Sequence, residues 1–132
     1  MDLKILNIAA NAQNNREIKN FTHKSKYKNN LCGDQIEIRL VIKNDKIIDF
    51  GYQTESCVYC QASASILSKI SINKSLLKVN KITIDTLEYF RNSKLIMSKN
   101  LEKLGFILDK KNLSRKDCIL LPFKALKKAL NN

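Results

Sequence analysis

The chain has 132 residues, 44% of them hydrophobic, and sets 24 Lys and Arg against 12 Asp and Glu for a formal charge of +12. That length suits one domain with one core, expected over residues 1–132, and no apolar run approaches the roughly 18 residues of a membrane-spanning helix. The amino-terminal stretch MDLKILNIAANAQNN lacks the basic region and small-residue cleavage site of a secretory signal, so a cytoplasmic location and no membrane partner are expected.

In chain order, LKILNIAANAQ (3–13) places Leu3, Leu6 and Ala10 on one helical face, widened by Ile5, Ile8 and Ala9, and predicts a short helix. Residues 14–30 are polar, without a periodic face, and read as a loop. His23, the sole histidine, lies there and reads as solvated rather than as a metal ligand. QIEIRLVI alternates Ile36, Ile38 and Leu40 against Gln35, Glu37 and Arg39, which predicts a strand with one buried face. Asn44 and Asp45 supply a turn, and IIDFGYQT returns as the second strand of a hairpin.

After Cys60, QASASILSKISI predicts a closely packed helix carrying Ile66, Leu67 and Ile70. TIDTLEYFRNSKLIM predicts another, capped by Thr83 or Asp85, with Leu87, Phe90 and Leu95 on its apolar face. NLEKLGFIL predicts a shorter one. LPFKALKKALNN predicts a final helix with Pro122 in its first turn and Phe123, Leu126, Ala129 and Leu130 on one face. Strands early and helices late make the class α+β, a small antiparallel sheet with helices packed against it.

The positive charge is mostly lysine; only Arg16, Arg39, Arg91 and Arg115 are arginine. The lysines are scattered and not interleaved with aromatic stacking platforms, so nucleic acid is not the expected partner. A salt-sensitive attraction to an acidic protein fits at least as well.

In a reducing compartment, four cysteines point to metal or sulfur chemistry before disulfides. Cys32 begins Cys-Gly-Asp, Cys57 and Cys60 form Cys-x-x-Cys, and Cys118 stands just before the final predicted helix. Each site falls at a junction between elements, where free backbone N–H groups and helix N-termini favour thiolate. Thiolates gathered at loop ends hold soft or borderline metals, or act as nucleophiles. Gly33 permits a tight turn that lets Cys32 and Asp34 face one point. Asp34 reads either as a turn residue or as a ligand. Cys60 reads either as a small buried residue or as a metal or redox participant, and Arg115 either as a surface charge or as a partner to the thiolates.

At CGDQIEIRLVI, CVYCQASASIL and RKDCILLPFKALKKAL the chain resembles the U-type iron–sulfur cluster assembly scaffold family, the IscU, SufU and NifU amino-terminal group. The resemblance runs from Leu31 to the end, with three motifs in order. It implies a SufE/NifU-like fold in which one helix, a three-stranded antiparallel sheet and further helices bring Cys32, Asp34, Cys57 and Cys118 to one edge. It also implies a scaffold, not itself an enzyme. Such a scaffold accepts persulfide sulfur from a cysteine desulfurase and holds iron, a nascent iron–sulfur cluster or zinc through those four residues. Its product passes to a downstream assembly complex or to apo-acceptor proteins.

The 60 residues between Cys57 and Cys118 are closest to the SufU spacing, and NLSRKDC lacks the chaperone-docking stretch of IscU. Arg115 matches a SufU-type arginine. This leaves open a SufU-like zinc-dependent sulfurtransferase in which Cys57 and Cys118 hold metal and Cys32 accepts sulfur. Two positions depart from the pattern. Ser56 stands where glycine is frequent, and Cys60 is an extra thiol that allows an all-cysteine zinc site without Asp34. A basic, zinc-stabilised nucleic-acid-binding domain is the remaining alternative.

Overall fold

The computed structural model describes residues 3–91 and 104–131. Its elements are α1 (Leu3–Ala10), β1 (His23–Lys28), β2 (Gln35–Lys43), β3 (Lys46–Glu55), α2 (Val58–Ser71), β4 (Lys74–Ser75), α3 (Leu76–Arg91) and α4 (Lys116–Leu130), with a 3-10 turn over Lys110–Arg115 leading into α4. The strands pair antiparallel in the order β1-β2-β3-β4. No helix among the described residues is long and apolar enough to cross a membrane.

The β2–β3 hairpin follows the alternation. Ile36, Ile38 and Leu40 are buried from β2, and Ile47, Phe50 and Tyr52 from β3. Lys43 pairs with Lys46 across a two-residue turn. Asn44 and Asp45 there take φ of 54° and 58°, the left-handed pair that the right-handed strand twist favours in tight hairpins. One register shift, between Val41 and Ile42, bends the ladder.

β1 corrects the predicted 14–30 loop. HKSKYK has no apolar alternation, and Ser25 is its one buried residue. The ladder with β2 supplies what side-chain pattern does not, and Ser25 Oγ donates to the Ala125 carbonyl at 2.6 Å. Lys24, Lys26 and Lys28 point such an edge strand away from pairing with another chain. With the two-residue β4, the sheet has four strands where three were expected.

The helices follow their predicted segments but differ at their ends. α1 stops at Ala10, and its buried face is Ile5 and Ala9; Leu3 and Leu6 are exposed. α3 starts at Leu76, because Ser75 Oγ accepts the Lys78 N–H at 3.1 Å and caps it. Thr83 and Asp85 therefore lie inside the helix: Thr83 Oγ1 donates to the Val79 carbonyl, and Asp85 pairs with Lys81 one turn back. Leu95 and the first part of NLEKLGFIL lie outside the described residues. From Leu104 to Leu108 the chain makes turns, with Leu104, Ile107 and Leu108 buried. Pro122 sits in the second turn of α4 rather than its first, so the Cys118 carbonyl one turn back receives no N–H from it.

One sheet face packs on α4 and α2 around Leu40, Phe50, Leu67, Phe123 and Leu126. Ser63 Oγ locks α2 to α4 by donating to the Ile119 carbonyl at 2.6 Å. Residues 12–22 cross the other face. Arg39 donates to the Ile18 carbonyl at 3.0 Å, and the Tyr52 N–H donates to the Asn14 carbonyl at 3.2 Å. Gly51 makes this crossing possible: a Cβ there would stand 2.7 Å from the Arg16 carbonyl oxygen and 2.8 Å from Ile18 Cγ1. Gly51→Ala is expected to cost about 1–3 kcal/mol, read as a lowered urea midpoint at unchanged slope. A midpoint at the wild-type value would show that the strap lifts off freely.

Candidate metal centre

The β1–β2 connection is a closed turn. The Asn29 N–H donates to the Asp34 carbonyl at 2.8 Å, the Gly33 N–H to the Asn29 carbonyl at 2.8 Å, and the Leu31 N–H to Asn29 Oδ1 at 3.0 Å. Gly33 takes φ of +79°, the left-handed conformation that glycine adopts without cost from a Cβ. The turn exposes Cys32 and Leu31 and directs Asp34, 8% exposed, inward.

Cys57 follows β3 and is the N-cap of α2. It is half-buried, and its N–H points to Asp34 Oδ2 at 3.4 Å. Cys118 lies in the first turn of α4 and is buried. Three elements distant in sequence thus deliver their ends to one place. One ligand atom from each of Cys32, Asp34 and Cys118 lies within 4.8 Å of the other two. Cys57, the fourth residue expected there, lies outside this three-residue group, although its thiol neighbours Cys118: burial first, then the Cys57 thiol and the Asp34 carboxylate, push the Cys118 thiol well up. In the absence of a cation, the site therefore keeps its innermost sulfur protonated. A divalent ion reverses that balance, because a coordinating thiol gives up its proton.

Cys60 sits in the same helical turn as Cys57 but outside the three-residue group. It is fully buried, its Sγ is 4.0 Å from Thr54 Oγ1, and burial pushes its thiol up to about 12 against the hydrogen bonds of Ser56 and Thr54. Arg115 is the exposed N-cap of α4, and its guanidinium carbon lies 5.5 Å from the Tyr59 ring centroid. The arginine next to the third cysteine is thereby held against the helix that carries the second. Tyr59 has no warning in the sequence beyond being an aromatic residue two after Cys57. Thr54 was equally silent, and Ser56 stood out only as a departure from the resembled pattern, since a strand-end hydroxyl announces no neighbour. His23 opens β1, with Nδ1 2.8 Å from Thr22 Oγ1, outside the group.

A groove of about 530 Å³ runs between α3 and α4, floored by Leu87, Phe90 and Leu120 and edged by Lys116, Lys124 and Lys127. A smaller one of about 220 Å³ shares Tyr27, Asp117 and Lys124 with it and reaches Asn30 and Leu31, beside Cys32. Among the described residues, Lys116, Lys124 and Lys127 take part in no ion pair.

Comparison with known proteins bears on the family and the fold. The family model described as NifU-like N terminal domain matches residues 2–132. The chain is 31% identical over 117 residues to an uncharacterized protein of Borreliella burgdorferi, covering 86% of this chain and 74% of that one. It is 29% identical over 104 residues to the iron-sulfur cluster assembly scaffold protein IscU of Thermotoga maritima, covering 78% and 72%. Among solved structures, one from Fervidobacterium islandicum AW-1, assigned as a cluster assembly scaffold for the SUF system, superposes with a TM-score of 0.90 at 25% identity. That match covers 98% of this chain and 96% of the other. The N-terminal part of a NifU-like protein from Brucella abortus shares the fold, with a TM-score of 0.87 at 17% identity over 98% and 91%.

Proposed function

The chain belongs to the NifU-like N-terminal domain family, the U-type iron–sulfur cluster assembly scaffolds, and from that membership we propose that it accepts sulfur from a cysteine desulfurase and assembles iron and sulfide on Cys32, Asp34, Cys57 and Cys118. The observation that carries this reading is the convergence of Cys32, Asp34 and Cys118 within 4.8 Å, with Cys57 against them. Thiolates suit iron in a cluster. The single carboxylate is a harder and more exchangeable ligand, which fits a site that must release its cargo. Cys32 is the sulfur acceptor in this scheme, because it is the one exposed thiol, at the tip of a turn that a donor can reach.

The test is anaerobic loading with desulfurase and cysteine, then with ferrous iron and an excess of dithiol. Wild-type protein is expected to show persulfide on Cys32 by peptide mass and then cluster absorbance, and Cys32→Ala to lose the persulfide. Unchanged loading of Cys32→Ala would remove the assignment.

A second reading has its own support. The SUF-system scaffold of Fervidobacterium islandicum shares nearly the whole fold, and the 60 residues between Cys57 and Cys118 match that class. In it, the same residues hold zinc, and Cys32 relays sulfur to a downstream assembly complex. Stoichiometric zinc in the protein as isolated, with desulfurase stimulation that chelation abolishes, favours this relay over cluster building.

The lysine-edged groove between α3 and α4, which shares Tyr27, Asp117 and Lys124 with the smaller one beside Cys32, supports the acidic-partner reading. Reversing the charge of Lys124 and Lys127 to Glu is expected to slow association with the desulfurase by about tenfold at low salt, a difference that closes as salt is added. An unchanged rate at low salt would move the contact elsewhere.

A further inference from the structure

We propose that Cys57 and Cys60 form a dithiol that reduces delivered sulfur to sulfide within this chain, an inference that rests on the reading that the centre receives persulfide sulfur. Clusters contain sulfide, whereas a persulfide delivers sulfur that is still two electrons short of it. A second thiol beside the loaded one supplies those electrons.

Cys57 is the extended N-cap of α2, with φ −72° and ψ 168°, and its carbonyl accepts the Gln61 N–H at 3.1 Å. Residues 57–60 therefore span the first helical turn. Side chains three apart on a helix stand about 5–6 Å between Cβ atoms, while a disulfide needs about 3.5–4.5 Å. No cap hydrogen bond holds the Cys57 side chain, so rotation about its Cα–Cβ bond closes that gap. Cys57 is half-buried and Cys60 is 0% exposed, so a partner's sulfur meets Cys57 before Cys60. Two hydroxyls face the Cys60 sulfur: Thr54 Oγ1 at 4.0 Å, itself 2.7 Å from Ser56 Oγ, and the Ser56 hydroxyl. Ser56 and Cys60, the two departures from the resembled pattern, are thus neighbours. The Thr54 hydroxyl donates its proton to the Gln35 carbonyl at 2.6 Å, so Ser56 is the hydroxyl that stabilises negative charge as it develops on the attacking sulfur.

The step balances. The Cys57 thiolate first takes the outer sulfur of the Cys32 persulfide, which frees Cys32 as thiolate; Cys60 Sγ then attacks the inner sulfur of the Cys57 persulfide, and the bond to the terminal sulfur breaks. Its electron pair leaves as hydrosulfide, which takes the Cys60 proton to give hydrogen sulfide. The terminal sulfur is reduced by two electrons as the two thiols are oxidised to one disulfide. Hydrosulfide is a low-pKa leaving group, which favours this exchange. An external dithiol reductant then resets the pair.

The test uses the full chain, reduced and metal-free, loaded anaerobically with cysteine persulfide and then freed of donor and thiols. Wild-type protein is expected to release sulfide in step with a Cys57–Cys60 disulfide seen by peptide mass. Cys60→Ala and Cys60→Ser are expected to retain the persulfide and release sulfide about tenfold more slowly or worse. Equal release from both variants overturns the proposal, as does sulfur moved onto Cys60 without a disulfide; in either case the sulfur-receiving reading stands. Failure to load sulfur on any cysteine overturns both.

Discussion

Cys118→Ser is expected to weaken metal binding by on the order of a hundredfold or more, beyond the 10–100-fold cost of losing an outer-shell partner. Cys118 is the buried sulfur of the centre, placed by the first turn of α4 against Cys57 and Asp34. A serine hydroxyl there keeps the shape but offers a harder donor that does not ionise near neutral pH. Asp34→Ala is expected to cost less, because water replaces a carboxylate oxygen more readily than it replaces a thiolate. Competition with a chelator of known zinc affinity, on wild type and the two variants, measures the order. For an ion that binds the folded chain and not the unfolded one, the same loss appears as stability: of about 2.7 kcal/mol of ligand-linked stabilisation at a hundredfold excess over the dissociation constant, about 2.3 kcal/mol disappears from Cys118→Ser. If Cys118→Ser kept wild-type affinity while Cys60→Ala lost it, the centre would be the Cys-x-x-Cys and not the converging set.

That Cys32, Asp34 and Cys118 would come together was legible from where the residues fall. Cys32, Cys57 and Cys118 each stand at a boundary between elements, and boundaries of a small sheet-and-helix domain collect at its ends. The β2–β3 hairpin was equally plain, since Ile36, Ile38 and Leu40 alternate and Asn44-Asp45 tolerate positive φ. β1 was not, because HKSKYK buries only Ser25 and exists through its ladder with β2, a tertiary effect that leaves no period in the sequence. The start of α3 was missed for the opposite reason. Thr83 and Asp85 look like caps, yet their polar groups bond within the helix, while Ser75 caps it. Pro122 misled in the same way: a residue at home in a first turn is tolerated in the second, at the cost of one hydrogen bond to the Cys118 carbonyl. The neighbours of Cys60 lay beyond any sequence pattern, since nothing in the order of Thr54, Ser56 and Cys60 says that two hydroxyls turn toward one sulfur.

Metal-free protein is expected to lose stability above about pH 9 more steeply than its Cys60→Ala variant, by about 1.4 kcal/mol per pH unit. The folded chain holds the Cys60 thiol up to about 12, chiefly because burial disfavours its charged form, whereas an unfolded thiol ionises near its model value of 9.0. Below that value both states are protonated and the stabilisation is fully present. Above it the unfolded chain sheds the proton, the folded chain keeps it, and unfolding gains ground until the folded thiol ionises as well. The remaining ionisable groups are common to both proteins and cancel in the difference. Urea unfolding at pH 8, 9 and 10.5, with chelator and without oxidant, is therefore expected to show the wild-type advantage over Cys60→Ala shrinking by about 1.6 kcal/mol over the last interval. A constant difference would mean that water reaches Cys60 in the folded state, and a sulfur open to water has lost the shelter that confines its reactions to Cys57.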